Sequence, residues 1–146
     1  MPFSRFAAAG VAALVVVLAA CDTTGIIRQD FAIDVSEVEV PDTITTEDAV
    51  LPVHLFGVIG TNTCFSFLRI DDSWPEPDEA FIVAYGRLEM RDQACQEGLV
   101  HLDETVELRP ADGLTFPAGE LTIQVARQHP EPPLVRTVQV VEPTED

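Results

Sequence analysis

Leu121, Ile123 and Val125 alternate with Thr122, Gln124 and Ala126, which places the large aliphatic residues on one side of the chain. A backbone that sends successive side chains to opposite faces buries one set and wets the other, so this pattern dictates a half-buried β-strand. The same period of two recurs from Phe31 onward, with breaks at proline, glycine and acidic clusters. Leu51, Val53, Leu55 and Ile59 alternate with Pro52, His54 and Val58 and stop at Gly60. Cys64 to Ile70 is a third apolar segment, and Phe81 to Arg91 sets Ile82, Ala84, Leu88 and Met90 against Arg87, Glu89 and Arg91. Leu99 to Leu108 is a further extended segment, interrupted near Asp103 and Glu104, and Arg136, Val138 and Val140 share one phase of the last strand. In the first segment Phe31, Ile33 and Val35 hold one phase, whereas Val38 and Val40 hold the other. A one-residue slip reverses the buried face, so a bulge or a change of partner is predicted at Ser36 and Glu37.

Short strands with turn signals at this spacing and no helical period predict an all-β domain. The architecture that fits is an immunoglobulin-like antiparallel β-sandwich of about seven strands over residues 31–141. An up-and-down barrel is the alternative, and residues 142–146 form a polar tail.

Upstream of the strands the chain has a basic head at Arg5, an apolar stretch from Phe6 to Leu18, and small residues before Cys21, the layout of a secretory signal. A spanning helix needs about 20 apolar residues, so the stretch is too short for a permanent anchor and reads as a cleaved signal over residues 1–20. Leu18-Ala19-Ala20-Cys21 resembles the lipobox of bacterial lipoproteins. The resemblance implies that Cys21 becomes the acylated N-terminus of the mature chain, held in a membrane on its extracytoplasmic side. Several acyl chains give stable attachment where one gives only reversible binding. Asp22 resembles the inner-membrane retention signal of enterobacterial lipoproteins, a rule not carried to other bacteria, so inner versus outer membrane stays open. Residues 21–30, containing Gly25, read as the lipidated cysteine and a short tether whose last nine residues span at most about 30 Å.

Asp and Glu number 25 against 8 basic residues, every one an arginine, for a formal net charge of −17. Phosphate backbones are bound by clustered cations that release counterions, so the balance excludes nucleic acid as a partner. It also repels an anionic lipid surface, which leaves the holding to the lipid. Dispersed acidity fits a saline source or a genomic composition bias.

With Cys21 assigned to lipid, Cys64 and Cys95 remain, an even count in an exported chain, and they are expected to be bridged. They lack CxxC spacing and neighbouring histidines, which argues against redox or zinc roles. Gly60-Thr61-Asn62-Thr63-Cys64, then Cys95 ahead of Thr105-Val106-Glu107-Leu108, then Pro117-Ala118-Gly119 before the penultimate strand resemble a loose group of bacterial exported Ig-like domains, over residues 35–141. That resemblance implies the Cys64–Cys95 bridge and the strand order, and brings no activity with it.

The mature chain offers only Ser36, Ser66 and Ser73 as serine nucleophiles, none in a GxSxG elbow. His54, His101 and His129 lack HxH or HxxxH spacing. Asp71 to Glu79, read as a loop with Pro75 and Pro77, gathers five carboxylates around Trp74. Calcium takes six to eight oxygens, so this loop is a candidate, although it lacks the EF-hand order and glycine. Trp74 is either an exposed contact point or a ring folded back onto a sheet edge. The expected function is therefore a non-catalytic, lipid-anchored Ig-like domain with a binding or structural role in the cell envelope, no cofactor, and an envelope protein as possible partner. The alternative is a calcium or enzymatic site assembled from His54, His101 and the segment 71–79.

Overall fold

The alternation becomes two facing apolar surfaces. The computed structural model describes residues 25–91 and 94–144, and among these the seven expected segments resolve into nine strands. They are β1 (Ile27–Ala32), β2 (Asp34–Glu39), β3 (Thr43–Thr45), β4 (Leu51–Asn62), β5 (Phe65–Glu76), β6 (Glu79–Met90), β7 (Glu97–Leu108), β8 (Gly119–Val125) and β9 (Leu134–Val141). The expected signal segment 1–20, Cys21 and the end of the expected tail lie outside the described residues.

One sheet is β2-β4-β7, antiparallel throughout. The other is built on β6, which pairs with β5 along one edge and with β1 and then β8 along the other, continuing to β9 and β3. The fold is an immunoglobulin-like β-sandwich in which most neighbours are antiparallel, while β6–β8 and β3–β9 run parallel. Leu51, Val53, Leu55 and Leu102 of the first sheet face Ile82, Leu121, Ile123 and Val138 of the second, all fully buried. No polar or charged residue is buried among them. The expected phase change is a bulge: the register between β2 and β4 shifts between Val35 and Glu37, so that Val35 and Val38 both turn inward. Phe31 pairs in one sheet and Val35 in the other, so the chain also changes sheets at Ile33.

Four local expectations are corrected. The expected tether does not extend to Asp30, because Ile27 to Asp30 are hydrogen-bonded to β6 as strand β1. The segment 71–79 is the far half of a long β5–β6 hairpin, with Asp72 opposite Ile82 and Ser73 opposite Phe81. Strand β7 runs unbroken through Asp103 and Glu104. It is an edge strand, where charged side chains keep access to water and discourage pairing with another chain. Met90, expected to face inward, is exposed opposite Ile27 at the end of β6.

Cys64 and Cys95 form a disulfide with Cα atoms 5.5 Å apart. Cys64 lies in the crossing from β4 to β5 and Cys95 in the crossing from β6 to β7, so the bridge joins two inter-sheet connections at one pole. Around it Thr63 N–H donates to Gln96 O at 2.9 Å, and Gln96 N–H donates to Thr63 Oγ1 at 3.0 Å. Gly60 passes directly beneath the Phe65 ring, where a Cβ would come within 2.1 Å of Cγ. Only glycine fits there.

Candidate functional site

The histidines are distributed by strand register. His54 on β4 and His101 on β7 share the outer face of the three-stranded sheet, but His54 stands opposite Thr105 and His101 opposite Val58. Four residues along β7 therefore separate the two positions, about 13 Å of strand. His129 lies in the β8–β9 connection, exposed, with a cis bond to Pro130. The structure does not bring the three together. His54 instead pairs with one carboxylate: its Nε2 lies 2.6 Å from Asp103 Oδ1, and its ring stacks on Phe56 with centroids 4.1 Å apart. His54 borders a shallow cleft of about 310 Å³ lined also by Glu39, Val40, Pro41, Pro52 and Thr105.

The acidic segment does not wrap around a point. Along β5 and the start of β6 the extended backbone sends neighbouring carboxylates to alternate faces. Asp71 accepts from Arg69 Nε at 3.0 Å, and Glu79 accepts from Gln124 Nε2 at 2.8 Å. Among the described residues no three His, Cys, Asp or Glu side chains are grouped to hold a metal ion. Trp74 is folded back, half-buried against the core with its ring 6.3 Å from Phe116. Ser66 and Ser73 are exposed strand positions opposite Arg87 and Phe81, and Ser36 Oγ donates to Phe56 O at 3.2 Å.

The densest polar constellation is one the linear sequence did not reveal. On the outer face of β1 and β6, Arg28 stands opposite Glu89 and Asp30 opposite Arg87. Directly opposed unlike charges support a strand pair. Arg28 Nε donates to Glu89 Oε2 at 3.0 Å, Arg91 Nε to Glu89 Oε1 at 2.7 Å, and Arg87 Nε to Asp30 Oδ1 at 2.7 Å. The hydrogen bond from Arg87 holds the Asp30 carboxyl below its ordinary range and raises the Arg87 guanidinium in return. Arg91 lowers Glu89 in the same way, with Arg28 adding to the effect. Arg69 extends the row, its guanidinium 4.4 Å from the Tyr85 ring centroid.

Depressed carboxylate pKa values stabilise the fold above the ordinary carboxylate range, and that contribution is lost as pH falls through the folded values. Arg87–Asp30 and Arg28–Glu89 run between β1 and β6, while Arg91–Glu89 lies at the end of β6 alone, so β1 is expected to open first below about pH 4, chiefly through loss of the Asp30 tie. Amide exchange across an acid series checks this: protection should fall over Ile27–Ala32 while β4 and β8 retain theirs. A uniform loss across all strands would refute it.

Comparison with protein-family models, curated proteins and solved structures found no match to the chain.

Proposed function

We propose that this chain is a bacterial lipoprotein in which residues 1–20 are a secretory signal, Cys21 is the acylated N-terminus, and the Ig-like sandwich is a non-catalytic module of the cell envelope. The observation that carries this reading is Leu18-Ala19-Ala20-Cys21 at the close of an apolar run, six residues before the first strand begins at Ile27. The Cys64–Cys95 disulfide supports it, because such pairs persist in oxidising compartments outside the cytoplasm. The open faces of the sandwich, with the histidines apart, favour binding or support of another envelope component over chemistry.

The test is Cys21→Ala in the full chain. It should lose a metabolic palmitate label and move from the membrane fraction to the soluble fraction, with the disulfide and the unfolding midpoint unchanged. Full retention in the membrane fraction would sink the proposal.

A further inference from the structure

The acids of the described strands and turns are unevenly divided between the two poles, and four of the eight exposed large apolar side chains gather at one of them while Leu114 and Val141 lie at the other. Ile26, Ile27, Met90 and Leu99 are large apolar side chains with 41%, 57%, 38% and 61% of their surface exposed. All four lie at the disulfide pole, because β1 and β7 begin there and β6 ends there. Gly25, the first described residue, directly precedes Ile26 and Ile27 at the same pole. Among the described residues, the acids at this end are Asp30, Glu89 and Glu97, matched in number by Arg28, Arg87 and Arg91. The opposite pole carries Glu47, Asp48, Asp78, Asp112, Glu120 and Glu142 in its turns and strand ends, with Arg109 as a basic residue there. Among the described residues, then, acids and arginines balance at the disulfide pole, whereas acids dominate the opposite one.

We propose that this pole is a membrane-contact surface that seats the sandwich against the bilayer, with the acidic pole directed away. The proposal rests on the lipid anchoring proposed above. Cys21 precedes Ile27 by six residues, which span about 20 Å when extended and less otherwise. An acyl chain at Cys21 thus holds Ile26, Ile27 and Met90 within reach of the headgroup region. Arginine stems cover apolar surface while their guanidinium groups meet phosphate, and Arg28, which donates to Glu89 through Nε, keeps its terminal NH groups for that boundary. An anionic leaflet repels the far pole, so the charge distribution and the anchor favour the same orientation. Total charge predicts a domain pushed off the surface, whereas its distribution predicts one standing upright on it.

Tryptophan reporters test this in the mature lipid-bearing chain, reconstituted into phosphatidylcholine vesicles whose acyl chains are brominated near the headgroup. In a Trp74→Phe background, Ile27→Trp and Met90→Trp each place a reporter at the proposed contact, and Leu114→Trp places one in the exposed β7–β8 connection at the far pole. Phe81, opposite Ser73, is nine residues along β6 from Met90, so the Trp74 region itself lies about 30 Å from the contact. Reporters at 27 and 90 should lose most of their emission and the reporter at 114 none. Equal emission at 27, 90 and 114 with the chain co-sedimenting with vesicles overturns the orientation while leaving the anchor intact. A chain that does not co-sediment overturns the anchor and the orientation with it.

Discussion

Phe116→Ala is expected to cost about 3–5 kcal/mol, or about 12–20 °C in Tm for a domain of this size. Phe116 is the largest fully buried side chain, with 1% of its surface exposed, yet it belongs to the irregular connection between β7 and β8 rather than to a strand. Its ring enters the core beside Trp74 and holds that connection down. Truncation leaves a cavity between two hydrogen-bonded sheets that cannot close together without breaking their registers, so little of the cost is recovered by collapse. Leu114, two residues earlier and 78% exposed, provides the contrast: Leu114→Ala should stay within about 0.5 kcal/mol of the parent. Denaturant unfolding of the two variants checks both values, and Trp74 emission in Phe116→Ala should shift to the red as its ring gains water. A Phe116→Ala midpoint indistinguishable from that of Leu114→Ala would show that the connection is not anchored through this ring.

The strands were legible wherever one face is buried. Leu51, Val53 and Leu55, and Leu121, Ile123 and Val125, announce themselves because a period of two has no other explanation at that length, and the bulge at Ser36 and Glu37 follows from the same rule. Strand β1 was not legible, since Ile27-Arg28-Gln29-Asp30 buries no face; it becomes a strand through cross-strand charge pairs with β6. Pro75 and Pro77 signalled a loop; Pro77 does sit in the β5–β6 turn, but Pro75 lies within β5, which pairs only with β6, and an edge strand tolerates a residue without an N–H. Phe116 lay hidden in a turn signal, because burial of an isolated aromatic has no period to betray it. The arginine and carboxylate row on β1 and β6 depends on residues 57 and 61 positions apart meeting in register. Pattern along a chain cannot supply that distance.

Removing the disulfide should cost about 3–4 kcal/mol on the chain-entropy account, about 12–16 °C in Tm, which places it beside Phe116 in size but not in mechanism. The bond separates residues 31 apart, so reduction chiefly releases a loop in the unfolded chain and leaves the apolar core of the native state untouched. A native-state component adds to this at the pole, where the bridge joins the two crossings between sheets alongside the Thr63 and Gln96 hydrogen bonds. The two parts are separable. Cys64→Ala with Cys95→Ala should lower the unfolding midpoint as reductant does on the parent, and reductant should have no further effect on the double variant. Amide exchange should then reveal faster opening around Thr63, Gln96 and the start of β7, while β8 and β9, at the other end of the sandwich, change only with global stability. If midpoints with and without reductant coincide in the parent, the bridge contributes nothing to stability. If they differ but local protection at the pole is unchanged, the whole effect lies in the unfolded chain, and the pole is held by its hydrogen bonds and by the Phe65 ring over Gly60.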